Sequence, residues 1–134
     1  MHRSPRELTA SFEAGTLEPA EFSHTDHVTV AHELLLKYDF LTAAKCYVES
    51  LKALTEKAGV PQKMNTTITL AFLSIIAERM RAKDYQDITA FLNDNEDLLS
   101  GDLLARWYTA DRLKSNDART SFLMPDQNST TAIN

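Results

Sequence analysis

The chain has 134 residues, 43% hydrophobic and 25% charged, and its 14 basic and 19 acidic side chains give a net charge of −5. A chain of this length buries roughly two-thirds of its unfolded surface, enough for one core and not for a second domain. The acidic balance argues against nucleic-acid binding, which needs a basic face to displace counterions. The single cysteine, Cys46, excludes an intrachain disulfide framework.

No apolar run approaches the roughly 20 residues that a membrane span requires. The N-terminus, with His2 and Arg3 near its start, lacks the apolar stretch of a signal peptide. We therefore expect a cytoplasmic protein without a membrane partner.

Capping residues divide the first half of the chain into three predicted helices. Ser4-Pro5-Arg6-Glu7 and Ser23-His24-Thr25-Asp26 are capping boxes, which predict helices running to Gly15 and to about Lys37. Asp39 is placed to cap a third helix, which a glycine at position 59 would end.

The second half begins with a fourth predicted helix, from about Asn65 to Ala82. Its apolar residues between Ile68 and Ala77 cover nearly the whole circumference, which is typical of a helix packed on all sides. Shorter helical segments are predicted at 85–92, 102–108, 110–114 and 117–122.

These patterns predict an all-α fold, a single compact bundle of five to seven helices whose central apolar helix spans about residues 66–80. The helical domain would cover residues 1–124, and a flexible polar tail would follow over 125–134. The apolar surface of the central helix and of the Leu103–Tyr108 segment also predicts a homo-oligomer.

The second helix carries the most informative polar residues. At about 100° per residue, His24 and His27 fall on its apolar side, three positions apart, whereas His32 falls on the rim. Imidazoles that point at a core need partners, because an unpaired buried polar group costs about 1–3 kcal/mol.

Polar residues around the start of the central helix could supply such partners. They are Lys63, Asn65, Thr67 and Thr69. A helix N-terminus with free N–H groups, a lysine and hydroxyls suits a small anion. If the second and fourth helices pack together, the histidines would face this group.

Three hypotheses follow. In the first, the chain binds or acts on a small polar or anionic molecule: His24 and His27 transfer a proton or ligate, Lys63 supplies charge, and the amide and hydroxyls orient the ligand. In the second, the two histidines bind a metal ion with Glu21 or Glu78. In the third, the same residues are satisfied polar groups of a non-enzymatic interaction protein. The sequence identifies no cofactor.

Several motifs resemble a family of small, largely uncharacterised bacterial helical proteins. The motifs are Phe22-x-His24-x-x-His27-Val28-x-x-Ala31, Gln62-Lys63-x-Asn65-x-Thr67-Ile68-Thr69-x-Ala71-Phe72, Glu78-Arg79-Met80 and Ala118-Arg119-x-x-Phe122-x-x-Pro125-Asp126. The resemblance covers about residues 22–126 and implies no established activity. Many relatives carry histidine at the position of Asn65, so a metal triad of the family would lack its third imidazole here.

Overall fold

The computed structural model describes residues 3–127, which form seven α-helices linked by short 3₁₀ turns, with no strand in that range. The α-helices are α1 (Pro5–Ala14), α2 (His24–Lys37), α3 (Phe40–Lys57), α4 (Thr66–Ala82), α5 (Ile88–Asp94), α6 (Ala110–Lys114) and α7 (Asn116–Thr120). The 3₁₀ turns are Pro19–Glu21, Pro61–Lys63, Glu96–Leu99 and Leu103–Arg106. The predicted all-α fold is confirmed.

Local capping sets the starts of the first helices, as the sequence predicts. The Ser4 hydroxyl accepts a hydrogen bond from the Glu7 N–H at 3.1 Å, and the Glu7 carboxylate accepts one from the Ser4 N–H at 3.0 Å. Ser23 and Asp26 repeat this reciprocal arrangement at the start of α2. Gly15 ends α1 at a φ of 74°, a left-handed conformation in which a side chain is strained.

Helix α2 is enclosed on almost every side, because it packs against α1, α3, α4 and the Glu96–Leu99 turn. The five consecutive residues Val28–His32 are all buried. The rim position predicted for His32 is therefore wrong: this side chain is only 6% exposed and packs 5.0 Å from the Phe91 ring, measured between centroids. The helical period of α2 alone could not show that other elements cover this side.

The predicted central helix corresponds to α4, which contacts α2, α3 and α7. It buries apolar and polar side chains alike: Thr67, Thr69, Ala71, Leu73, Ile76 and Ala77. Ile68, at the cavity described below, remains 39% exposed. No helix within residues 3–127 has the length and apolar character needed to cross a membrane.

Helix α5 begins later than predicted. Its N-cap is Asp87, whose carboxylate accepts a hydrogen bond from the Ala90 N–H at 2.9 Å, so the helix starts at Ile88 rather than at Tyr85. The Tyr85 hydroxyl instead donates to the Asp94 carboxylate at 2.7 Å.

The chain after α7 returns to the bundle as an extended segment. The Asp126 carboxylate accepts hydrogen bonds from the N–H and hydroxyl of Thr109, and the Gln127 N–H donates to the Trp107 carbonyl at 2.9 Å. The first three residues of the predicted flexible tail are thus docked on the helices. The remainder of that tail, 128–134, lies outside the described residues.

Candidate functional site

A cavity of about 240 Å³ lies between the first turn of α2, the middle of α3, the Pro61–Lys63 turn and the first half of α4. Its polar lining consists of His24, His27, Thr55, Lys63, Asn65 and Thr69. Its apolar lining consists of Tyr47, Leu51, Met64, Ile68 and Phe72. The volume corresponds to about eight water molecules at the density of the liquid.

The packing of α2 against α4 brings together five of the six residues predicted for the site. Both histidines, Lys63, Asn65 and Thr69 line the cavity, and Thr67 does not. The two imidazole rings lie 6.0 Å apart between centroids and are inclined by 49°. The cavity therefore brings polar residues of α2 and of the start of α4 beside the apolar residues of its lining.

The two histidines differ in environment. His24 is exposed, although its helical position predicts the apolar side, because it is the first residue of α2 and lies at the cavity; its ring is 6.0 Å from that of Phe72, measured between centroids. His27 is half-buried, and its ring lies 4.5 Å from that of Phe22. Burial, and then repulsion from His24, lower the pKa of His27 to about 4. His27 is consequently a neutral imidazole at pH 7, with one nitrogen donating and the other accepting.

Tyr47 lines the cavity from α3. Its side chain is 1% exposed, and burial raises the pKa of its hydroxyl above the ordinary value. The hydroxyl lies 3.5 Å from the His27 carbonyl oxygen, at the limit for a hydrogen bond. Tyr47 and Leu51 are four positions apart in the sequence and so share the apolar face of α3, but this spacing does not indicate that the face lines a pocket.

Asn65 is a structural residue as well as part of the lining. Its amide oxygen caps α4 by accepting from the Ile68 N–H at 2.9 Å, and its amide nitrogen donates to the Leu113 carbonyl at 2.8 Å. Both the oxygen and the nitrogen of the Asn65 amide are therefore hydrogen-bonded to the protein, so this side chain lines the cavity in a fixed orientation.

Besides the two histidines, Lys63 and Thr69 are lining residues whose polar groups are free to meet a ligand within residues 3–127. Lys63 is exposed at the end of the Pro61–Lys63 turn, and its ammonium forms no ion pair within residues 3–127. Thr69 is 8% exposed, and among the α4 hydroxyls only those of Thr67 and Ser74 form hydrogen bonds within residues 3–127. An ammonium at the rim and a hydroxyl deeper inside suit a ligand with acceptor oxygens.

Thr67, predicted to orient a ligand, has a different role. It is fully buried, and its hydroxyl donates to the Ser121 carbonyl at 2.7 Å and accepts from the Leu123 N–H at 3.1 Å. The structure places Thr67 on the side of α4 that receives the C-terminal segment. The partners are 54 and 56 residues away in sequence, so no local pattern could reveal them.

The C-terminal helices also hold the turn that presents Lys63. The Arg119 guanidinium donates from Nε to the Gln62 carbonyl at 2.9 Å, and the Asn65 bond to Leu113 secures the other end of the turn. Arg119 appears in the sequence motif quoted above, but nothing in that motif indicates contact with this turn.

The residues proposed for a metal site do not assemble into one. Within residues 3–127, no group of three or more histidine, cysteine, aspartate or glutamate side chains is placed to hold a metal ion. Glu21 is exposed and does not line the cavity, and Glu78 pairs with Arg81 at 2.8 Å. Two imidazoles alone fall short of the three or four protein ligands of zinc sites.

Comparison of the chain with protein-family models, curated proteins and solved structures found no match.

Proposed function

We propose that this protein binds a small organic anion with a short apolar body, such as a carboxylate, in the cavity between α2, α3 and α4. The observation that carries the proposal is a cavity lined both by apolar side chains and by two polar groups suited to an anion: the neutral imidazole of His27 and the ammonium of Lys63, which forms no ion pair within residues 3–127. Ligand sites commonly combine an apolar lining with a few convergent polar groups.

The apolar lining would hold the body of the ligand. Leu51, Met64 and Phe72 present side chains on which hydrocarbon can be buried. Each buried methylene group contributes about 0.8 kcal/mol, so a chain of a few carbons would supply much of the binding free energy.

The polar lining residues would bind the carboxylate group of the ligand. Lys63 provides a charge-assisted hydrogen bond, and the Thr69 hydroxyl and one nitrogen of His27 are the remaining donors. An anion beside His27 raises the pKa of that imidazole, because it stabilises the protonated form. Binding would therefore be accompanied by proton uptake at a pH between about 4 and the pKa of His27 in the complex, and a bound ligand would turn His27 into a stronger base. An enzymatic role, with His27 and His24 as proton-transfer groups, is the extension of this proposal.

The test is calorimetric titration with straight-chain carboxylates of two to eight carbons, using hexan-1-ol as the neutral counterpart of hexanoate. We expect saturable binding of a carboxylate, at least tenfold weaker in Lys63→Met and unchanged in Lys52→Met, a lysine exposed on α3. Titration in buffers of different ionisation enthalpy should reveal proton uptake that His27→Gln abolishes. Equal affinity for hexanoate and hexan-1-ol, with no effect of Lys63→Met, would contradict the proposal.

A non-enzymatic interaction protein is the second candidate, favoured by exposed apolar residues at the α2–α3 junction. Leu36 is 64% exposed, Phe40 39% and Leu41 78%. Exposed apolar groups of this kind commonly mark association surfaces, and self-association would cover them. Sedimentation of wild type and of Leu36→Lys/Leu41→Lys distinguishes the two: a dimer that the variant abolishes favours interaction, whereas a monomer in both contradicts it.

We also propose that the protein is located in the cytoplasm of a bacterial cell. An unpaired cysteine such as Cys46 suits a reducing compartment, in which thiols stay reduced.

A further inference from the structure

A surface hollow of about 350 Å³ adjoins the exposed apolar residues of the α2–α3 junction. It shares no lining residue with the cavity at His27. Its apolar lining includes Pro5, Leu36, Met80 and Ile88. Leu36 belongs both to this lining and to the junction, where it is 64% exposed. The junction and the hollow therefore form one continuous apolar surface.

The most exposed side chain of this surface is Leu41, in the first turn of α3. At 78% exposure, it is also the most exposed of the large apolar residues within residues 3–127. Only Tyr38 and Asp39 separate α2, which carries Leu36, from α3. Apolar surface gains free energy when it is removed from water, so a partner that covers Leu41 is favoured. Each copy of the chain thus presents a projecting leucine and an apolar hollow side by side.

The unpaired charges beside the leucine and beside the hollow are opposite in sign. Lys45, one turn beyond Leu41 on the same side of α3, is exposed and forms no ion pair within residues 3–127. Glu33, one turn before Leu36 on α2, lines the hollow and also forms no ion pair in that range. The one cation that lines the hollow, Lys83, is already in an ion pair of 3.3 Å.

We propose that this surface binds a second copy of the chain, with Leu41 of each copy in the hollow of the other and Lys45 paired with Glu33 of the other copy. A twofold dimer requires a surface that complements itself, because each contact occurs twice with the two copies exchanged. The apolar and the charged contacts can form together, because on each helix the charged residue lies about one turn further from the junction than the leucine. This pairing rests on the second candidate function, self-association at the α2–α3 junction, and names the residues that meet.

The test exchanges the two charges and measures dimerisation by sedimentation velocity over a range of protein concentrations. Glu33→Lys places two lysines opposite each other, and Lys45→Glu places two glutamates, so each variant alone should dimerise weaker than wild type by about tenfold or more. An equimolar mixture of the two variants should recover the dimer, because both contacts between positions 33 and 45 then join opposite charges. Such recovery also shows that neither variant loses the dimer by unfolding.

Matched controls make the same changes elsewhere on the molecule. Glu21→Lys and Lys114→Glu reverse charges at exposed positions outside this surface, so each should dimerise like wild type, and their mixture should gain nothing. Leu41→Ala should weaken the dimer by about tenfold or more, because an apolar side chain no longer fills the hollow. Met124→Ala, at a residue 68% exposed on the C-terminal segment, should leave the dimer unchanged.

The outcomes separate this pairing from the candidate function on which it rests. A monomeric wild type would overturn both. A dimer that Leu36→Lys/Leu41→Lys abolishes, but that neither charge reversal weakens, would keep self-association at the junction and overturn the pairing. A mixture of Glu33→Lys and Lys45→Glu that dimerises no better than its components would overturn the pairing as well.

Discussion

The partial burial of His27 makes the free energy of unfolding of this protein depend on pH. Its pKa is about 4 in the folded chain and near 6.5 when unfolded, so the unfolded chain takes up protons between those values. The free energy of unfolding therefore falls as pH falls from about 6.5 to 4, by up to about 3 kcal/mol from this group. His32, whose pKa burial also lowers, adds to the loss in the same direction.

Replacing His27 tests this linkage. We expect His27→Gln to lose less stability than wild type between pH 7 and pH 4.5, because glutamine does not titrate. Urea unfolding at the two pH values measures the difference. Parallel losses in both proteins would show that His27 is not the group responsible.

Thr67 and Thr69 are both buried on α4 but lie two positions apart, about 200° around the helix, so they face different surroundings and can be compared. Thr67→Val removes a hydroxyl that bonds both Ser121 and Leu123, so we expect a loss of about 1–3 kcal/mol in the free energy of unfolding. Thr69→Val should cost well under 1 kcal/mol, because no hydrogen bond of this hydroxyl to residues 3–127 would be lost, and should instead weaken carboxylate binding, because Thr69 lines the cavity. Chemical denaturation and calorimetry separate the two effects; a larger stability loss in Thr69→Val would contradict the assignment.

At the scale of elements, α7 supports the turn that carries Lys63. Arg119→Ala removes the bond to the Gln62 carbonyl, so we expect faster amide exchange at Lys63 and Met64 and weaker ligand binding. Arg112→Ala is the control: it removes a bond to the Met124 carbonyl and should loosen the C-terminal segment without affecting the turn. Hydrogen exchange measures both variants. If the Lys63 amide were as well protected in Arg119→Ala as in wild type, α7 would not stabilise the turn.

The elements also show which parts of the fold follow from local sequence. The starts of α1 and α2 could be predicted because Ser4 and Ser23 each find a partner three residues away. The start of α5 was misplaced because Asp84 and Asp87 are both acceptable caps; which of them caps depends on the packing of the loop before it, including the Tyr85 bond to Asp94.

In the molecule as a whole, a partly buried ion pair joins α4 to the Glu96–Leu99 turn. The Arg79 guanidinium contacts both oxygens of Asp97 at 2.8 Å, and it also donates to the Asn95 amide oxygen at 3.0 Å. We expect Arg79→Ala to lower the free energy of unfolding by about 1–3 kcal/mol, because it leaves Asp97 without its main partner. Arg81→Ala, which breaks only the exposed pair with Glu78, should cost less than about 0.5 kcal/mol. Urea unfolding compares them, and equal losses would show that the Asp97 pair adds nothing.

Packing between elements that are distant in sequence decides which residues of the candidate site can be predicted. His24, His27, Lys63, Asn65 and Thr69 could be grouped from sequence, because each lies near the start of α2 or α4 and those two helices pack together. The burial of His32 could not, since it depends on elements distant in sequence that cover α2. The same holds for Thr67, whose partners lie beyond α7.

The cavity at His27 is lined by some side chains that are held in place and by others that are exposed and can change conformation. Tyr47 and Asn65 are held by burial or by bonds at both ends, whereas His24 and Lys63 are exposed and free to change rotamer. A homologous series of ligands should thus show two kinds of selectivity. Affinity would stop rising abruptly once the carbon chain outgrows the interior, while carboxylate, sulfonate and phosphonate heads of similar size would be discriminated only weakly.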